Sequence, residues 1–307
     1  MSDAQSIPPA RPDNEDSLGG FLYALGAYVM WGFLPLYMKM VAHIPPAEVV
    51  AHRVIWSLPI AAGIIWALGR TADIRAVLRA PRMLGMAAVT AMLVSVNWGI
   101  YVWAIGTGHA LEAALGYYIN PLFSVALGAA LLGERLNRVQ LLAIAIAAFA
   151  VALLTWETGS LPLVALGLTI SWGAYAYLKK SLPIGPNQGF FLEVLLLSPL
   201  ALAYIIWVQS GGQGHFLDGT VRDTALLLGC GVVTAVPLMV YANGAKRLRL
   251  STIGIMQYIA PTMIFLTAVL IFKEPFGGAR LVAFPLIWLA LVIYTWGLFT
   301  QARAKAN

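Results

Sequence analysis

The residues that could do chemistry stand in a long apolar background. Glu48, His52 and Arg53 fall in one stretch, and Glu48 and His52, four apart, share a helical face. Glu193 aligns with His52 when the chain is shifted by 141 residues. Ionisable groups inside an apolar helix are costly and mark charge relays or substrate partners. The same four residues also suit an ion-pair cluster that pins a helix end. A second set is aromatic and amide: Tyr28 and Trp31; Asn97, Trp98 and Tyr101; Tyr118 and Asn120; Trp172 and Tyr175; Tyr241; Gln257 and Tyr258. Each indole or phenol joins an apolar body to a hydrogen-bonding tip, so it belongs against protein or a wet cavity. Such a lining could hold a small solute by its amino or carboxylate group; helix–helix packing would use the same residues. Pro121, Pro237 and Pro261 form a third set. A proline inside a helix removes one hydrogen bond, which makes these positions candidate helix breaks and gating points.

Other chemistries are missing. The chain has no Gly-x-x-x-x-Gly-Lys-Ser/Thr phosphate loop, no Gly-x-Ser-x-Gly elbow and no His-Glu-x-x-His pair. The single Cys230 excludes an intrachain disulfide and a cysteine metal cluster. Neither a metal nor a cofactor is expected, and an enzyme is not, although a membrane-embedded enzyme or sensor built on Glu48, His52, Arg53 and Glu193 is the alternative of another class.

The elements that position these residues follow from composition. The chain has 307 residues, 60% hydrophobic and 10% charged, with mean hydropathy +0.81. A water-soluble globule carries about 25% charged residues. The +6 charge lies between apolar runs of spanning length, which argues against nucleic-acid binding. The expected fold is all-α and integral to the membrane. Ten helices are expected at 19–38, 46–68, 83–106, 109–132, 139–156, 161–178, 188–208, 223–243, 250–272 and 281–300. Residues 1–18, acidic and rich in proline, read as a disordered cytoplasmic tail, and 303–307 as a second one. Fourteen Lys and Arg fall on the side of the termini and four on the other, with Arg53 inside a span, so both termini are expected in the cytoplasm.

The chain repeats itself. At a shift of 141, Leu22-Tyr-Ala-Leu-Gly26 meets Leu163-Val-Ala-Leu-Gly167 and Trp31-Gly32 meets Trp172-Gly173. At 140, Tyr118-Ile-Asn-Pro121 meets Tyr258-Ile-Ala-Pro261, Tyr101 meets Tyr241, and Glu134 meets Glu274. Residues 19–157 and 158–302 therefore read as two five-helix repeats. Because five is odd, the copies cross the membrane in opposite senses, and a cavity is expected between them at mid-depth. Trp31 and Trp172 should face each other there. Glu134 and Glu274 read as caps, and the alanines of the fifth helix as a packing face within one chain or between two.

These features resemble the drug/metabolite transporter superfamily, EamA type. The resemblance rests on Trp31-Gly32, Trp172-Gly173, Gly133-Glu-Arg135, Pro46-Ala-Glu-Val-Val-Ala-His-Arg-Val-Ile-Trp56, Leu111-Glu-Ala-Ala-Leu-Gly-Tyr-Tyr-Ile-Asn-Pro121 and Arg249-Leu-Ser-Thr-Ile-Gly254, which narrow it to RarD-like members over about residues 19–302. The second half departs at Lys273-Glu-Pro275, where the arginine is lost. The superfamily includes YddG-type amino acid exporters. The resemblance implies a multi-pass carrier of the bacterial inner membrane, with a small-molecule substrate and the lipid bilayer as partners. Export of aromatic or other neutral amino acids by alternating access is the expected function, and a drug or other metabolite permease on the same fold is the alternative. Direction, ion coupling and the choice between monomer and homodimer stay open.

Overall fold

A computed structural model describes residues 17–69, 74, 80–132, 136–181, 184–245, 247–248 and 250–306. Residues 1–16, Arg70, Arg75, Arg79, Gly133–Arg135 with Glu134, Lys246 and Arg249 lie outside the described residues. The described chain is all-helical. The helices are α1 (Leu18–Met40), α2 (Pro46–Ala67), α3 (Pro81–Gly106), α4 (Ala110–Leu132), α5 (Arg138–Thr158), α6 (Leu163–Ser181), α7 (Pro186–Ser210), α8 (Val221–Ala245), α9 (Leu250–Met256), α10 (Ile259–Leu266) and α11 (Arg280–Ala306). All but α6, α9 and α10 are long and apolar enough to cross a membrane, eight among the described residues. Helix α11 runs six residues past its expected end.

Local chemistry sets the boundaries. The Ser17 hydroxyl accepts from the Gly20 N–H and caps α1, while Asn137 and Gln140 form a reciprocal capping box on α5. Prolines open α2, α3 and α7 at positions whose N–H has no helical partner. Glu274 reaches from the far half of the chain to accept from the Ala110 and Leu111 N–H groups at 2.7 and 2.9 Å, capping the start of α4.

Sequence leads one to expect a continuous ninth helix, but the chain breaks at Gln257–Tyr258 between α9 and α10, and α10 passes into a π-helical turn at Thr267–Ile271. Pro261 lies four residues past Gln257. It has no N–H to bond the Gln257 carbonyl, and its ring crowds that oxygen. The Tyr258 N–H turns instead to Ile255 O at 3.2 Å. The other two prolines differ. Helices α4 and α8 run without interruption through Pro121 and Pro237, because a single lost bond inside a packed helix leaves the neighbouring turns intact.

Polar groups face inward and apolar ones outward. Phe149, Leu200 and Val292 are exposed, and Trp66, Trp156 and Trp207 are exposed near helix C-termini, where amphipathic rings meet a membrane–water boundary. Helix α6 is more polar, and it spends those groups internally: Thr169 donates to Gly116 O of α4 at 2.9 Å. Of the six alanines on α5, Ala143, Ala147 and Ala150 are buried in the core shared with α11, while Ala145, Ala148 and Ala152 face out.

Helix α1 packs on α8 and α10, α6 on α3 and α4, α2 on α7 and α8, and α5 on α11. Glycines set the close approaches. A side chain at Gly32 would strike Met263, one at Gly173 would strike Phe123, and one at Gly231 would strike the backbone of Trp56. Gly63 faces open space. Gly231→Leu should therefore cost about 1–3 kcal/mol of overpacking strain and lower the thermal midpoint of the detergent-purified protein, while Gly63→Leu leaves the midpoint nearly unchanged. Equal midpoints for the two variants would contradict the α2–α8 contact.

Candidate functional site

The cavity is built on the contact between α2 and α8. At Gly231 the two backbones approach closely, and the Ser57 hydroxyl bonds Gly231 O at 3.4 Å. One turn away Arg53 Nε donates to Thr234 Oγ1 at 2.9 Å, and Thr234 passes its own proton to Cys230 O at 2.7 Å. The guanidinium lies 4.7 Å from the centre of the Trp98 ring. Beside it opens a cavity of about 190 Å³ lined by residues from α1, α2, α3, α4, α6, α8 and α10, with Gln257 from the helix break.

Three of the lining aromatic rings form one cluster. Tyr28, Trp31 and Tyr241 meet pairwise at centroid distances of 5.5–5.6 Å in tilted and edge-on geometry, which suits the aromatic quadrupoles. They sit where the middle of α1 meets the last turns of α8. Asn97 on α3 is fully engaged: its amide nitrogen donates to Leu168 O at 3.1 Å and Ser171 Oγ at 2.9 Å, and its oxygen accepts from the Tyr117 hydroxyl at 3.2 Å. It holds α3 to α6 and fixes the Tyr117 ring at the cavity wall.

The structure brings nine of the expected aromatic and amide residues to the cavity: Tyr28, Trp31, Asn97, Trp98, Tyr101, Asn120, Trp172, Tyr241 and Gln257. It leaves three outside the lining. Tyr118 turns to the Thr262 hydroxyl at 2.8 Å and packs against Phe284 and Trp288, so it bonds helices together. Tyr175 stands behind Trp172 and donates to Glu193 at 3.2 Å. Tyr258 sits at the helix break. Of the prolines, only Pro261 reaches the wall.

The expected relay is not assembled. Glu48 accepts from the backbone N–H of His215 at 2.7 Å and pairs with the same imidazole at 2.8 Å, which ties down the loop after α7. His52 accepts from the Trp56 indole at 2.9 Å and packs against Phe216. Glu193 pairs with Lys179 at 2.5 Å. Arg53 alone of the four lines the cavity. The helical turn explains the split, because Arg53 is rotated about 100° from His52 and about 140° from Glu48.

Sequence reasoning missed Leu34, Tyr117, Thr234, Leu238, Ala260 and Ile264, all of which line the cavity. Helical period would have found them. Tyr117 lies three before Asn120, Thr234 lies seven before Tyr241, and Ile264 lies three past Pro261, each on the same face as the residue that was identified.

Comparison with known proteins assigns the family. Residues 18–156 match the EamA-like transporter family. A Vibrio cholerae protein named "Uncharacterized transporter" is 41% identical over 92% of this chain and 94% of its own. The chain belongs to the EamA family of the drug/metabolite transporter superfamily. Another relative, named Protein RarD, from Streptomyces exfoliatus, is 41% identical over 97% of this chain and 94% of its own. A crystal structure 21% identical in sequence shares the fold, with a TM-score of 0.58 over 92% of this chain and 97% of that one. This EamA-family chain is thus a membrane transporter whose small-molecule path is a matter of geometry. That geometry depends on Asn97. Asn97→Leu severs three hydrogen bonds and strands polar partners, so it should destabilise by about 1–3 kcal/mol. Tyr117→Phe removes one bond and should lower the thermal midpoint less. The reverse order would remove Asn97 as the link between α3 and α6.

Proposed function

We propose that this protein is a secondary carrier of the bacterial inner membrane, with both termini cytoplasmic, that moves small metabolites of no net charge by alternating access. Its cargo on this reading is an aromatic or other neutral amino acid leaving the cell. The observation that carries the proposal is the cavity itself: a small aromatic and amide-lined space among helices from both halves of the chain, with no acidic side chain among its described lining residues. The volume of about 190 Å³ favours a metabolite over a drug-sized solute.

Alternating access on this proposal uses residues 19–157 and 158–302 as inverted repeats. The contacts support it by their reciprocity. Helix α1 packs on α8 as α6 packs on α3, and α1 meets α10 as α6 meets α4. Gly32 against Met263 matches Gly173 against Phe123 in the same exchange. Two copies of one unit facing opposite ways can trade inward-open and outward-open shapes at little difference in energy. The broken segment at Gln257–Tyr258, beside Pro261, serves as a hinge against the cavity, where irregular backbone is tolerated. The enzyme reading loses support from the separation of Glu48, His52 and Glu193, each of which has its own partner away from the cavity.

Counterflow in proteoliposomes tests the cargo. Labelled phenylalanine, methionine or threonine should exchange faster than in empty liposomes, and Trp31→Ala or Trp172→Ala should slow the active substrate by about tenfold or more, since each removes a large aromatic contact. No exchange across a broad panel of neutral solutes would overturn this substrate class. Topology has its own test. In a Cys230→Ser background, single cysteines at Asn137 and Gly277 should react with impermeant maleimide from opposite sides of the membrane. Reaction from one side would overturn the inversion.

A further inference from the structure

Among the described residues that line the cavity, Arg53 carries a permanent positive charge, and no described carboxylate pairs with it. Arg53 is 3% exposed, and one terminal nitrogen of its guanidinium, Nη1, has no hydrogen-bond partner. Among the described residues its side chain hydrogen-bonds the neutral Thr234 alone, and its guanidinium lies over the Trp98 ring. No ion pair to Arg53 occurs among the described residues. The buried carboxylates of α2 and α7 are committed elsewhere, Glu48 to His215 and Glu193 to Lys179 and Tyr175. Two more cavity-lining polar atoms are buried without partners: the Tyr101 hydroxyl, on the helix that carries Trp98, and Asn120 Oδ1.

An unpaired guanidinium away from water is among the costliest arrangements a fold can hold, and it persists where a ligand supplies the missing charge. Arginine presents its N–H groups as a planar fork that matches a carboxylate, and it keeps its charge at every physiological pH. The phenol of Tyr101 adds a neutral donor. Around them the indoles of Trp31, Trp98 and Trp172 offer apolar faces. Donors at one point and aromatic walls elsewhere define a solute with a free carboxylate and an apolar body.

We propose that Arg53, with Tyr101, is the carboxylate-docking site of this cavity, so that the cargo is an amino acid whose carboxylate is unblocked. This rests on the carrier reading and names the group by which the cargo is held. Asn120 Oδ1 is the acceptor open to an ammonium, which lets a zwitterion fit. A solute without a carboxylate leaves the guanidinium unpaired and is rejected, as sites with buried polar groups reject analogues that lack the matching group.

One aromatic scaffold with four head groups tests the proposal by binding alone. The purified full-length protein is titrated with L-phenylalanine, 3-phenylpropionate, L-phenylalaninamide and 3-phenylpropanol, and binding is read from tryptophan fluorescence and thermal shift. The same series is repeated with leucine and 4-methylpentanoate and their amides, in chloride-free buffer. At least one carboxylate should bind about tenfold or more tighter than its amide, the range a charge-assisted hydrogen bond supplies. Arg53→Gln should abolish that preference. Tyr101→Phe, which deletes a hydroxyl that has no hydrogen-bond partner among the described residues, keeps the test open if Arg53→Gln fails to fold. It should weaken the carboxylate severalfold and leave the amide unchanged.

Equal binding of acid and amide, an intact preference in a folded Arg53→Gln protein, no loss of carboxylate affinity in Tyr101→Phe, or no carboxylate bound at all would each overturn the proposal. Arg53-dependent binding of a carboxylate without exchange in proteoliposomes would sink the carrier reading and leave the docking site standing. Exchange of the amides with no carboxylate preference would do the reverse.

Discussion

In hydrocarbon no water stands ready to take up a polar group left over by folding. This chain meets that constraint by sending its internal polar side chains across helix boundaries. Asn97 spans α3 and α6, Thr169 reaches α4, Tyr118 reaches Thr262 of α10, and Glu274 caps α4. Each bond both removes an unsatisfied group and fixes one helix against another. The exceptions acquire meaning from the rule. His52 Nε2 and Asn187 Oδ1 lack partners away from the cavity, whereas Arg53 Nη1, Tyr101 Oη and Asn120 Oδ1 lack them on its wall. Only the last group can be completed by something that enters.

Glycine and proline set the geometry in which those groups meet. The α2–α8 approach at Gly231 puts Arg53 beside Thr234, and any side chain at that glycine would push the two helices apart. Gly32 and Gly173 do the same for α1 against α10 and α6 against α4, which draws Trp31 and Trp172 to one space. Pro261 interrupts its helix and Pro121 and Pro237 do not. All three prolines lie at or beside the cavity wall, so bordering the cavity does not by itself break a helix: α4 and α8 stay helical on both sides of the lost bond.

Charge is distributed by the same logic. Pairs such as Glu48–His215 and His43–Asp223 join the loop after α7 and the start of α8 to the α1–α2 end of the bundle. Lys179–Glu193 joins α6 to α7. Carboxylates that look alike in sequence thus become fasteners, and the buried Arg53 on the cavity wall has no ion pair among the described residues.

Hydropathy and residue type by themselves determined the all-helical membrane class, nearly every helix boundary, and nine of the residues that line the cavity. Those properties are sums over neighbours in the chain, and a run of apolar residues means the same wherever it ends up. The choice between Tyr117 and Tyr118, the isolation of Arg53 from Glu48, and the break at Gln257–Tyr258 were decided only in three dimensions. Adjacent helical residues point about 100° apart, so one step along the chain moves a side chain from the cavity wall to a helix interface. Whether a charge has a partner depends on residues such as His215 and Lys179 on distant elements, and no local pattern around Arg53 records that none of them faces it.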